Sequence, residues 1–199
     1  MKMPTVPLKG DVFVPSTFEV SPLVRVALWS LYLALTMPLP FLGRLNSVAN
    51  PSDSQISMLW LGLGLVGGGV LLQMVLSERV RLDDLGIAVC YPWWVPVPLR
   101  RDWSLAWSDI EDFKARSTGQ GGLVYYLVSK DRSGFLLPMR IVGFSRMLRL
   151  IQIKTGIDTR DVKPLAQPWM YATLLGVAGL LAIADLWVIW TVLAQAGQG

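Results

Sequence analysis

Three long apolar runs, residues 24–43, 59–76 and 169–194, bracket one polar block in which apolar positions alternate in short pieces. The second run carries no charge; the first and third carry one each, Arg25 and Asp185. A hydrocarbon core about 30 Å thick takes roughly 20 apolar residues as helix, so each run is long enough to cross it. The expected order is an N-terminal cytoplasmic tail (1–22), span one (23–43), an external loop (44–58), span two (59–77), a cytoplasmic domain (78–164) and span three (168–194).

Inside the polar block the period changes to two. Val80 and Leu82 alternate with charged neighbours, and Asp83-Asp84-Leu85-Gly86 makes a turn before a strand over 87–91. Strands are expected over 104–107 and 110–116, followed by a turn at 117–122. Val124, Tyr125, Tyr126 and Val128 favour extended chain over 123–129, and Lys130 to Gly134 turns into a last strand at 135–138. The period then lengthens. Phe144, Met147, Leu148 and Ile151 fall at i, i+3, i+4 and i+7, which predicts a helix with one apolar stripe and Gly156 as its C-terminal cap.

The spans carry their own signals. Met37-Pro38-Leu39-Pro40 should stop or kink span one, because proline lacks an N–H and locks φ. Span two holds Gly62, Gly64, Gly67, Gly68 and Gly69; Gly64-x-x-x-Gly68 is a small face that lets another helix approach, within the chain or from a partner. Trp60, Trp169, Trp187 and Trp190 lie near span ends, where indole rings prefer to sit.

Composition narrows the chemistry. The chain has no histidine, and Cys90 is its one cysteine, so the commonest general base and the usual zinc and haem ligands are missing. The expectation is a non-enzyme without cofactor or metal. Fourteen of the eighteen basic residues lie between 77 and 167, and none follows span three. That bias predicts an inside amino terminus, a cytoplasmic domain and an outside or lumenal carboxyl terminus. The net charge of +4 is then a topology signal, and a nucleic-acid partner is not expected.

The block over 79–156 resembles the bacterial pleckstrin-homology-like (PH-like) domain of membrane-anchored proteins. The matching marks are Leu82…Gly86-Ile87, Trp107-Ser108-Asp109-Ile110, Leu137-Pro138 and the closing helix at 144–155. The resemblance implies a β-sandwich or barrel with one C-terminal helix. Two spans before such a domain are also similar in architecture to the two-span photosystem I assembly factors. The departures are a third span after the domain and the insertion at 92–102.

That insertion is the most unusual soluble segment. Three prolines forbid a regular strand over Pro92-Trp93-Trp94-Val95-Pro96-Val97-Pro98-Leu99, so a projecting loop is expected, followed by Arg100, Arg101 and Trp103. Three readings stand: Trp93 or Trp94 folds back over the open end of the sandwich, the segment grips a partner protein, or it meets lipid headgroups. A phosphoinositide clamp would need basic residues on the first hairpin, where this chain has Asp83-Asp84.

Asp185 lies sixteen residues beyond Trp169, roughly 24 Å of helix rise, in the outer third of span three. An acid there is either a near-interface group bonded to water or a neighbour, or the partner of a basic residue in another membrane protein. A proton relay would want a second ionisable residue at matching depth, and Gln73 is the only other strongly polar mid-span group. The expected function is a membrane scaffold or assembly factor. Its expected partner is a larger membrane protein complex, a photosystem or its assembly intermediate being the first candidate, with membrane lipids around it. The other class is a small transport or lipid-handling component using Asp185 and the glycine-rich span.

Overall fold

The computed structural model describes residues 15–41, 54–117, 123–159, 162 and 168–196. Residues 118–122 of the expected turn at 117–122, most of the loop at 44–58 and residues 1–14 of the tail lie outside these residues.

Three helices are long and apolar enough to cross a membrane, over Pro22–Phe41, Met58–Val75 and Trp169–Thr191. The first is α1, Pro22–Thr36, opened by a proline whose missing N–H costs nothing at that position. It breaks at Met37-Pro38 as the proline pair predicts, with a further helical turn over residues 39–41. The others are α2, Ser54–Val75, and α4, Pro168–Ala196.

The water-facing part is mixed α+β, with two antiparallel sheets and one helix. β1 (Ser16–Glu19), β2 (Arg79–Leu82), β3 (Gly86–Cys90) and β4 (Trp103–Ala106) form one sheet in that order. β5 (Ile110–Ser117), β6 (Leu123–Ser129) and β7 (Gly134–Leu136) form the other. A single 3-10 turn, Trp107–Asp109, makes the corner between them. Among the described residues the sheets do not close into one continuous ladder; an isolated bridge, Val20 to Ile141, joins the end of the first to the segment after β7.

The strand the sequence reading leaves inside the tail of residues 1–22 is β1. It pairs antiparallel with β2, Phe18 opposite Val80 and Glu19 opposite Arg79. Phe18 and Val20 are buried, while Thr17 and Glu19 are not. The alternation Phe18, Val20 against Thr17, Glu19 was a legible strand signal, but a four-residue edge strand beside a 20-residue apolar run is easily read as tail. The domain is therefore built from both sides of the first two spans. Spans one and two leave the sheet at Glu19 and return to it at Arg79 as an insertion between neighbouring strands.

Alternate residues of both sheets meet in one core with the apolar stripe of α3, Phe144–Thr155. Val80, Leu82, Ile87, Val89 and Leu127 point inward from the strands, and Phe144, Met147, Leu148 and Ile151 from the helix. Gly156 ends α3 in the left-handed region at φ 74°, its N–H bonded to the Gln152 carbonyl. That conformation is costly for any residue with a Cβ. Gly86 is needed for space instead. A Cβ there would overlap the Leu105 carbonyl oxygen on β4.

A second cluster joins the spans beneath the domain. Val20, Val24, Ala27, Leu76 and Tyr171 are buried together, so α1 and α4 leave from the same side that α2 returns to. Glu19 ties the elbow. Its carboxylate lies 3.2 Å from Arg79 Nε and 3.4 Å from Arg25 Nη2. These half-exposed pairs contribute little energy each, but they hold β1, α1 and β2 in one orientation. Arg25 is thus an elbow residue rather than a free charge within the span. The backbone adds Ser21 N–H to the Arg140 carbonyl at 2.9 Å and Val142 N–H to the Glu19 carbonyl at 2.8 Å.

Candidate functional site

Strand register decides which end of the domain faces the membrane. Arg79, four residues past the end of α2, pairs with Cys90, and Val89 pairs with Trp103. The 92–102 loop therefore leaves and rejoins the sheet at the end from which the spans emerge. Three devices hold it. Val95 is driven into the interior and is only 2% exposed. Arg100 turns back over the loop, donating Nε–H to the Val95 carbonyl at 2.5 Å and Nη2–H to the Trp93 carbonyl. Asp102 accepts the Tyr91 backbone N–H at 2.8 Å.

These contacts sort the residues singled out from sequence. Trp93 does not cover the sandwich: it is 88% exposed, and Trp94 is also exposed. The apolar residue that the loop buries is Val95 instead, its N–H bonded to the Pro92 carbonyl at 3.1 Å. Arg100 is occupied by the loop's own carbonyls, so of the arginine pair Arg101 is the one turned outward. Trp103 belongs to β4 and packs on Phe135 of β7, ring centroids 5.2 Å apart, which makes it part of the wall between the two sheets.

Beside the loop's feet lies a cleft of about 660 Å³ that sequence reasoning missed. Val75 from the end of α2, Trp103, Phe135 and Leu137 make its apolar lining, and Glu78, Tyr91, Arg101 and Arg140 its polar one. Tyr91 hydrogen-bonds the Glu78 carboxylate. Burial raises the Glu78 carboxyl above its ordinary value, against the Tyr91 bond and the Arg140 charge, which lower it. Burial, then the neighbouring carboxylate, pushes the Tyr91 phenol up to about 12. These residues come from four separate stretches of chain, so no spacing in the sequence announces them. Among the described residues no three His, Cys, Asp or Glu side chains come together to hold a metal.

In the spans, Gly68 and Gly69 face α1. A Cβ on Gly68 would come 2.9 Å from the Tyr32 hydroxyl, and one on Gly69 3.4 Å from Trp29. Gly62, Gly64 and Gly67 have no such neighbour within 4 Å among the described residues. The Gly64-x-x-x-Gly68 pair is thus split, with Gly68 used inside the chain and Gly64 turned away. Tyr32 donates its hydroxyl to the Leu65 carbonyl, and Trp29 Nε1–H donates to Gln73 Oε1 at 3.2 Å. On α4, Asp185 is spaced by seven from buried Ala178 and by fourteen from buried Tyr171, which places it on the helix stripe that packs inward. Its Oδ2 is buried, with no hydrogen-bond partner among the described residues.

No family model matches the chain, and no solved structure matches it. A protein of Synechocystis sp. named "Uncharacterized protein slr0269" is 48% identical over 179 residues, covering 87% of this chain and 87% of the relative. At that identity and coverage, the chain belongs to the family of this cyanobacterial protein.

Proposed function

We propose that this chain is a non-catalytic membrane scaffold or assembly factor that holds a larger membrane protein complex through its spans and a PH-like domain. The observation that carries the proposal is the unused glycine flank of α2. Each interior glycine costs a helix roughly 1 kcal/mol relative to alanine. Gly68 and Gly69 recover that cost against Tyr32 and Trp29, whereas a Cβ on Gly64 or Gly67 meets nothing within 4 Å among the described residues. At about 100° per residue those two lie about 60° apart, on one flank of the helix. A smooth flank of this kind suits the close approach of a helix from another protein.

The sequence of a four-stranded sheet, a three-stranded sheet and a closing helix supports the PH-like reading. The concentration of Arg and Lys in the domain supports a cytoplasmic placement, with the carboxyl terminus outside or in the lumen. A thylakoid complex such as a photosystem or its assembly intermediate is the first candidate partner, and a cyanobacterial relative is compatible with it. The second reading, a small transport or lipid-handling component, is favoured by the unpaired buried oxygen of Asp185. Against it, Gln73 is already engaged by Trp29.

Gentle detergent extraction and native-gel separation test the scaffold reading. The wild-type chain should migrate well above its 22.0 kDa mass, and Gly64→Leu with Gly67→Leu should release it. Wild-type migration at monomer mass overturns the proposal. Cysteine labelling in a Cys90→Ser background tests the orientation. Position 50 should label from outside and position 85 only after the membrane is opened; the reverse pattern overturns the cytoplasmic placement.

A further inference from the structure

We infer that the 92–101 loop is a second membrane contact, a monotopic wedge that puts Trp93, Val97 and Leu99 into the headgroup–acyl boundary of the leaflet from which the spans emerge. The inference rests on position. Val75, the last residue of the second span, lines the same cleft as Tyr91, Arg101 and Trp103, which are the two feet of the loop. The feet of the loop and a residue at the edge of the hydrocarbon thus border one cleft. The headgroup layer adds only about 5–8 Å on each side of that core, and ten residues of chain reach across it without moving the domain.

Its chemistry fits that depth. Trp93 is 88% exposed, Val97 78%, and Leu99 and Trp94 are also uncovered, in a segment that water alone would not favour. Indole rings prefer the interface because the ring is apolar and its N–H remains hydrated. Arg101 and Arg140 are exposed at the same end, placed for lipid phosphates, while Arg100 is spent on holding the loop's shape. Three prolines and the Arg100 clamp fix the backbone before contact, so little ordering is lost on insertion. The far tip of the β2–β3 hairpin, with Leu85, lies at the opposite end of the strands and should remain in water.

Site-directed spin labels on the full-length chain in nanodiscs of phosphatidylcholine and phosphatidylglycerol test this. In a Cys90→Ser background, nitroxides at positions 93, 97 and 85 are compared by power saturation with oxygen and with a water-soluble nickel chelate. Positions 93 and 97 should be several-fold more accessible to oxygen than to nickel relative to position 85, which should show the aqueous pattern. Each labelled protein must keep the melting temperature of its unlabelled parent. Aqueous accessibility at 93 and 97 equal to that at 85 overturns the proposal. Low accessibility to both reagents overturns it as well, because protein, and not lipid, would then cover the loop.

Discussion

Trp29 and Gln73 are forty-four residues apart and joined by one hydrogen bond, Nε1–H to Oε1 at 3.2 Å, between two membrane-spanning helices. Each side chain solves the other's problem. An amide or an indole N–H left unpaired in hydrocarbon is expensive, and the bond between them locks α1 and α2 in register beside Gly69. Gln73→Leu should lower the stability of the span bundle by about 1 kcal/mol, in line with polar contacts between membrane helices. Thermal melts of the single variants, Trp29→Phe and the double variant in one detergent will read the coupling. A coupling of zero would mean the two groups do not bond in the folded chain.

Gly86 and Gly134 provide a matched pair. A Cβ at Gly86 overlaps the Leu105 carbonyl, so Gly86→Ala must push β3 from β4 and should cost about 2–3 kcal/mol, as overpacking does. A Cβ at Gly134 would meet Tyr126 at an ordinary 3.7 Å, and Gly134→Ala should change stability by less than about 0.5 kcal/mol. Melting temperatures of the two full-length variants check both.

The loop offers a contrast between residues two positions apart. Val95→Ala removes two buried methyls and should cost about 2 kcal/mol. Trp93→Ala removes a larger side chain that touches little and should leave the melting temperature within about a degree of wild type in detergent. Equal losses would return Trp93 to the core.

Glu78 makes the domain pH-sensitive in a direction that can be derived. Its folded pKa lies above the ordinary 4.5, so the folded chain binds more protons than the unfolded one over that interval. The associated stability is present below pH 4.5 and is lost as pH rises through the raised value. Glu78→Gln should keep the Tyr91 contact, lose this slope and melt higher than wild type at pH 7. The Tyr91 shift acts in a separate window, removing stability as pH rises from 10 to about 12. Melting curves from pH 4 to 8 for both proteins test the first window; parallel curves would contradict it.

Asp185→Leu should raise the melting temperature of the purified chain, because it removes a buried carboxylate oxygen that has no hydrogen-bond partner among the described residues. In native membranes the same variant should weaken retention in a complex if a partner's basic residue satisfies the acid there. A drop in melting temperature of the purified chain would show that the carboxylate already has a use inside the bundle.

Local periodicity determined much of this protein without help. Runs of apolar residues long enough for a bilayer announced α1, α2 and α4, and Met37-Pro38 announced the break in the first. Period-two stretches located β2 to β7, and the stripe from Phe144 to Ile151 located α3 with its Gly156 cap. These signals are legible because each depends on neighbours a few residues away. Tertiary structure decided the rest. Only the pairing of Glu19 with Arg79 shows that the spans interrupt a sheet, since that register joins residues sixty positions apart. Only the approach of Val75, Glu78, Tyr91, Trp103 and Arg140 makes the cleft. Only the folded loop shows which of its apolar residues is buried, Val95 at 2% exposed with Trp93 left outside. Packing between distant segments set the sheet and the cleft, and no short window of sequence contains both partners.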